Sequence, residues 1–536
     1  MDLTSAHDSM ERAPGAVRHS LRFHDKNSST LFQIQEDPTD GARYPPFAAT
    51  TSQKDRLPPE ILAAIFVHLS EPDSSEDERS GFVQDLFSVT HVCRFWRQVA
   101  INAPELWSEI TTTSLEIVET FLERSKTVPL NVYFRPVNQK ILRSVAPHTH
   151  RFRQLTVSAP RFPGPEPFAS LTNPAPLLET LVISCPADLQ PRILFDDQAP
   201  RLRELLVFTT GLWLKNQLGN LTSLHLTFFD IIRPSEFLPF FDMLRRCPVL
   251  EEMFVRWNLW DVVPATSIRP PTIPFPRLRK LLLHSFYIQN IEYLLQSFEF
   301  MTDEIAIHLS DVSRVPEDEH LISRIQTVFP DNNPRQPSLL SSTKLELIMR
   351  TTPPGIVLHA IGPRFSVRLE TSWEDHDLPS EMNLTLHDVF PSVDELWIRG
   401  LAPAGTEIDG FEHFPALVKL VLEGSESKLV RNIRQALSPD DSGILPSPLL
   451  SSIDYYGGDE SEMRDIFLLI RNRCGAGHRL ETLRVPSSFT PLLVDIGGCV
   501  QDVASLGISS GAHHMHSMDL PEYCFAEGHG WWEPWE

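Results

Sequence analysis

The sequence predicts an α/β protein: an N-terminal unit of three short helices, then an irregular solenoid with a curved, mostly parallel sheet. Three observations carry this. Apolar residues recur at helical spacing in three separate series between Pro59 and Ile101. From Leu178 onward one strand-like apolar pattern keeps returning. Between its copies lie segments of helical period.

Length and charge narrow the classes. A chain of 536 residues exceeds one ordinary domain, so several units or a repeat array are expected. At 41% hydrophobic residues it can bury a large core, and its 46 prolines punctuate it often. The net charge, 47 − 70 = −23, argues against nucleic acid and anionic membranes as main partners, because phosphate binding needs clustered Lys and Arg. Six cysteines, none in a C-x-x-C pair, fit reduced thiols and a cytoplasmic or nuclear setting. Residues 1–8 lack the apolar run of a secretory signal, and no 18-residue uncharged apolar segment predicts a membrane-spanning helix.

Taken in order, residues 1–50 are polar without a sustained period and read as disordered. Residues 51–112 form the helical unit. Pro59 suits a first helical turn, where its missing N–H is not needed. Ile61, Leu62, Ile65, Phe66 and Leu69 then make one apolar face, which Glu71-Pro72 ends. Phe82, Val83, Leu86, Val89, Val92 and Cys93 make a second series; Trp96, Val99 and Ile101 make a third, up to Pro104. So small a unit cannot bury this much apolar surface alone, so part of it is expected to dock on a partner.

Residues 113–508 carry the repeated pattern. Thr113-Ser114-Leu115-Glu116 resembles a capping box before a helix marked by Leu115, Val118 and Leu122. Leu130–Phe134 reads as a strand, and a helix near 139–146 with a strand near 155–157 repeats that order. Copies of Leu-x-x-Leu-x-Leu, with Val, Ile or Met substituting, follow at Leu178, Leu202, Leu221, Leu250, Leu278, Val393, Leu417 and Leu480. In each, the last two apolar residues face the same side of a short strand, and the first turns the chain into it. Leu205, Leu224, Leu281, Leu396 and Leu420 share one position in the pattern and are expected inside. Helices are expected at 235–247, 288–298, 428–437 and 462–473. Strands are expected near 345–349 and 365–370. Residues 314–342 hold a helix-like piece and a Pro-rich stretch, and 439–448 reads as a loop. Residues 509–536 read as a tail rich in His and Trp.

The first unit resembles the F-box. That family opens with Leu-Pro-x-Glu-Ile-Leu and closes with Val-Cys-(Arg/Lys)-x-Trp-Arg. Here these are Leu57-Pro58-Pro59-Glu60-Ile61-Leu62 and Val92-Cys93-Arg94-Phe95-Trp96-Arg97 at compatible spacing. Pro104-Glu105-Leu106-Trp107 looks like a tail common in fungal members. The acidic, Ser-rich stretch Glu71–Gly81 is longer than the family's usual connection; a surface loop lengthens at small entropic cost. The resemblance implies binding to the Skp adaptor and, through it, a cullin. It assigns Leu57, Pro58, Ile61, Leu62 and Ile65 to the adaptor face, with Leu86, Val89 and Trp96 divided between that face and internal packing. The later pattern, at about 19 to 30 residues between adjacent copies, resembles leucine-rich repeats, although their usual Asn is mostly missing.

No catalytic constellation stands out. His513-His514-x-His516 with Cys524 and His529 lacks a zinc-ligand spacing and reads as a polar terminus. Trp531-Trp532-x-x-Trp535 reads first as the tail packing on the last repeat and second as a partner anchor. Gly457-Gly458-Asp459-Glu460 lacks the Lys and Ser/Thr of a phosphate loop and reads as a helix start. Acidic pairs such as Asp440-Asp441 read as solvated. No cofactor or metal is expected, and no bond chemistry. The sequence thus points to a substrate receptor of a Skp–cullin–F-box ubiquitin ligase, with an unknown protein substrate on the solenoid. The rival is a ligase-independent scaffold using the same surfaces.

Overall fold

Alternation along each strand puts one set of side chains inward, and among the described residues seventeen strands join into one sheet. The structure is a computed structural model. It describes the chain apart from residues 1–56, 70–81, 112–113, 136–138, 160–167, 186–191, 210–213, 229–236, 258–271, 303, 313–327, 330–340, 352–353, 373–382, 386–389, 401–406, 410, 412–413, 424–426, 440–442, 458, 490–495, 507–517, 526–531, 533–534 and 536. The expectations for 1–50, 71–81, the Pro-rich stretch after 329, Asp440-Asp441 and the histidines at 513–516 lie outside the described residues.

The helices α1 (Pro59–Leu69), α2 (Phe82–His91) and α3 (Arg94–Asn102) come first, closed by a 3-10 turn at Pro104–Trp107. Then follow β1 (Glu109–Ile110), α4 (Leu115–Arg124), β2 (Leu130–Phe134), α5 (Gln139–Val145) and β3 (Phe152–Ser158). Next are β4 (Thr180–Cys185), β5 (Glu204–Thr209), β6 (Ser223–Phe228), α6 (Phe237–Leu244) and β7 (Glu252–Trp257). The middle holds β8 (Ile273–Phe275), β9 (Lys280–His284), α7 (Ile288–Ser297), β10 (Phe298–Phe300) and β11 (Ile305–Ser310). After them come β12 (Lys344–Thr351), β13 (Pro354–Ile361), β14 (Phe365–Ser372), β15 (Asn383–Thr385), β16 (Glu395–Gly400), β17 (Glu407–Asp409) and β18 (Lys419–Glu423). The last elements of the sheet region are a helix at Ser427–Leu437, β19 (Ser452–Tyr455), a helix at Glu460–Gly475, β20 (Leu480–Pro486) and β21 (Val500–Leu506).

In space the sheet runs from β1 through β7 in chain order, then β9 and β11. It continues β14, β13, β12, β16, and ends with β18 to β21. Among the described residues every pairing is parallel except those of β13, which is antiparallel to both neighbours. The pairs β8–β10 and β15–β17 stand outside the sheet.

Register makes the core. Leu181, Leu205, Leu224, Met253, Leu281 and Ile307 are mutual partners across six strands. Beyond the reversed strand the row resumes as Leu345, Leu396, Leu420, Ile453 and Leu483. All five leucines singled out from the repeat pattern are buried, and their strands lie in the one sheet. The row shares one core with helix residues such as Ile141, Phe240, Ile291, Leu429 and Ile466.

The strands expected at the repeated pattern are present. The sequence pattern does not signal β11, β13, β19 and β21, nor the short β1, β8, β10, β15 and β17. Ile305, Ile307 and Leu309 alternate as a strand should, but lack the leading Leu-x-x-Leu step. β13 reverses the chain through a meander that repeat spacing does not signal. Asp459 caps the helix at Glu460 by accepting from the Ser461 N–H at 2.8 Å, in keeping with the helix-start reading.

Candidate functional site

The second half of the N-terminal signature acts as a set of local ties. Cys93 is the N-cap of α3, its Sγ accepting from the Trp96 N–H at 3.4 Å. Arg97 Nε donates to the Thr90 carbonyl at 2.9 Å, satisfying an orphan acceptor in the last turn of α2. Trp96 is half-buried, its ring 5.0 Å from that of Phe66 on α1. Trp107 is fully buried and donates from Nε1 to the Ala100 carbonyl at 2.8 Å.

Those ties leave one face of α1 without cover. Ile61 is 50% exposed and Ile65 40%, one helical turn apart, with Ala64 exposed between them. Pro58 is exposed, and so is Leu57, just before it in sequence, at 52%. Val92, at 59%, is a further large exposed apolar side chain. Leu62 sits elsewhere than expected: it is 3% exposed and belongs to the core, as does Leu86, which the resemblance left divided between the adaptor face and internal packing. The cause is helical geometry, since Leu62 shares its side of α1 with buried Phe66, while Ile61 and Ile65 share a side about 100° around the helix from it. Val89 and Trp96 pack partly against the core.

A second surface is the sheet side opposite the leucine row. Register aligns His225, Phe254, Leu282, His308, Arg368, His359, Glu346, Trp397, Val421 and Asp454 there, on successive strands. Its centre is charged yet buried. His359 Nδ1 meets Glu346 Oε2 at 2.6 Å, and Arg399 bridges Glu346 at 2.9 Å and Glu423 at 2.7 Å. Glu370 takes a hydrogen bond from Arg368 Nε at 2.7 Å and faces His308 Nε2 at 3.6 Å. Burial alone would push both carboxyls up. The His359 and Arg399 contacts hold Glu346 below the usual range, and His308 with Arg368 does the same for Glu370.

The C-terminal segment covers this surface. Met518 packs with Ile361, Trp397 and Val421, and Cys524, Trp532 and Trp535 pack with Phe254, Leu282 and Ala306. This corrects the expectation that the tail packs on the last repeat. The apolar side chains needing cover on this side stand on the middle strands, so the tryptophans go there. Cys524 is buried, its thiol pushed up to about 12 by burial. Among the described residues no cluster of His, Cys, Asp and Glu suits a metal ion, and no helix is long and apolar enough to cross a membrane.

No curated protein matches the chain. An F-box-like family model matches residues 54–113, which span α1 to α3, the 3-10 turn and β1. F-box domains generally bind Skp-type adaptors, so the match supports an F-box protein with an adaptor role in ubiquitin ligase complexes.

Proposed function

We propose that the chain is a substrate receptor of a Skp–cullin–F-box ubiquitin ligase. The observation that carries this is the uncovered apolar face of α1 within the F-box-like residues. Leu57, Pro58, Ile61 and Ile65 would seat in an adaptor groove. The remaining residues would form an irregular leucine-rich-repeat-like solenoid. Its support is the buried leucine row and the parallel pairing of strands separated by helices. The sheet side opposite that row, with its rim loops, would hold a protein substrate. The chain performs no bond chemistry in this reading; it raises the effective concentration of substrate lysines near ubiquitin carried elsewhere in the complex. The Pro104–Trp107 tail favours a fungal member. Co-purification of the full chain tests the proposal: adaptor together with cullin supports it, adaptor without cullin favours the scaffold reading, and no adaptor overturns both.

A further inference from the structure

We propose that the sheet side at β7 to β18 is a docking surface for a peptide carrying two tryptophans three residues apart. The chain's own C-terminal segment is its resident, displaceable occupant.

The seat is built from side chains. Trp535 lies flat on His359, ring centroids 5.8 Å apart and planes within 5°. Trp532 stacks on Trp535 at 6.1 Å, and Lys280 Nζ sits 5.7 Å from the Trp532 ring centre. Tyr523 OH meets Ser366 Oγ at 3.1 Å. The described residues of the segment contribute no strand to the sheet. Lifting it therefore breaks no ladder hydrogen bond, whereas removing any strand would.

Two observations mark the occupant as replaceable. The seat is charged below the aromatic layer, with Glu346, His359, Arg368, Glu370 and Arg399 all paired among themselves. A cover that served only to finish a core would not need such a floor, since buried ion pairs are often matched in stability by apolar residues of similar volume. Further, Trp535 Nε1 and His359 Nε2 are both buried with no hydrogen-bond partner among the described residues. Stacked parallel rings cannot satisfy each other, because donor and lone pair lie in separate planes. The resident segment thus leaves two polar atoms unpaired that a better-matched partner would satisfy. The partner chemistry is a Trp-x-x-Trp segment with a polar group reaching His359 Nε2.

This deepens the substrate-face reading and rests on it only for the biological role of the partner. The test uses the full chain and its cysteines. Cys524 rides on the segment, while Cys185 and Cys247 are buried in the main core. A maleimide reagent is applied under native conditions with and without a synthetic peptide of residues 517–536 bearing Cys524→Ser. Peptide binding to the vacated surface should speed Cys524 modification in proportion to peptide concentration and leave Cys185 and Cys247 protected. The same peptide with Trp532→Ala and Trp535→Ala should have no effect. In the full chain, that double substitution should raise Cys524 labelling at least tenfold. If all three cysteines react at one rate, or peptide changes nothing, the segment is a fixed part of the fold and the proposal falls. Neither outcome touches adaptor binding by residues 54–113, and loss of adaptor binding leaves this result standing.

Discussion

Leu224 has Leu205 as its register partner on one side and Met253 on the other, and its side chain is fully buried. Leu224→Ala should cost about 2–5 kcal/mol, from lost transfer energy and the cavity left behind. Because the stacked strands contact mainly their neighbours, hydrogen exchange should accelerate in β5 to β7 and stay unchanged in β18 to β21. Uniform acceleration would mean the sheet unfolds as one block. The next residue, His225, faces the other side between Phe208 and Phe254, with ring distances of 5.2 and 4.0 Å. Burial first, and Arg256 second, pull its pKa down to about 3. Unfolded it titrates near 6.5, at about that reference value. Between these pH values the unfolded chain holds the extra proton, so stability is complete above about pH 6.5 and falls as pH drops toward 3. At about 1.4 kcal/mol per unit over two units, the loss by pH 4.5 is on the order of 3 kcal/mol. Urea midpoints from pH 7 to 4.5 should fall more steeply for the parent than for His225→Phe; parallel curves would refute the assignment.

At the scale of elements, α1 has a buried side and an uncovered one, and the proposed reading gives the uncovered one to the adaptor. Ile61→Glu with Ile65→Glu alters exposed positions, so stability should move by no more than about 0.5 kcal/mol. Adaptor affinity should drop by about 2 kcal/mol or more, roughly thirtyfold, as for a truncated interface anchor. Leu62→Ala should do the reverse, costing about 2–5 kcal/mol of stability through a core cavity. Calorimetry of binding and thermal melts on both variants read this; equal affinity for parent and the double Glu variant would remove α1 from the interface. The contrast also shows what was legible in the chain. Helical period disclosed that α1 is amphipathic, and the repeated Leu-x-x-Leu-x-Leu disclosed which strand residues turn inward. Neither discloses which apolar residues stay uncovered, because Ile61 and Leu62 are alike in type and adjacent in sequence. The reversed β13 was equally hidden, since its apolar run Ile356-Val357-Leu358 carries no sign of direction, which follows from which neighbours the loops allow. The tail's destination depended on side chains drawn from strands far apart in sequence, such as Phe254 and Val421.

At the scale of the molecule, the F-box-like unit and the sheet are continuous. Residues 58–536 form one compact unit, and its main core runs from Leu62 to Val500 without a break. The joint is Trp107, whose ring meets Phe121 edge-on at 5.1 Å while Arg124 sits 4.3 Å from its centroid. Just after it, β1 pairs with β2, so the last matched strand is the first strand of the sheet. Arg151 ties the same corner, donating to the Val128 carbonyl at 2.9 Å and to Ser125 Oγ at 2.7 Å. Phe121 lies outside the F-box-like match yet supports it from the α4 side. Phe121→Ala should therefore cost about 3–5 kcal/mol and act on both parts. Hydrogen exchange should rise in α3 as well as in β1 to β3, and leave β18 to β21 as they were. Adaptor affinity should weaken only by the fraction of molecules whose α1–α3 region is open, so it should recover fully on cooling toward the temperature of maximum stability. An α3 exchange pattern identical to the parent's would mean the F-box-like unit folds independently. The isolated fragment would then suffice to bind the adaptor, and the sheet would be a passenger joined only by the chain.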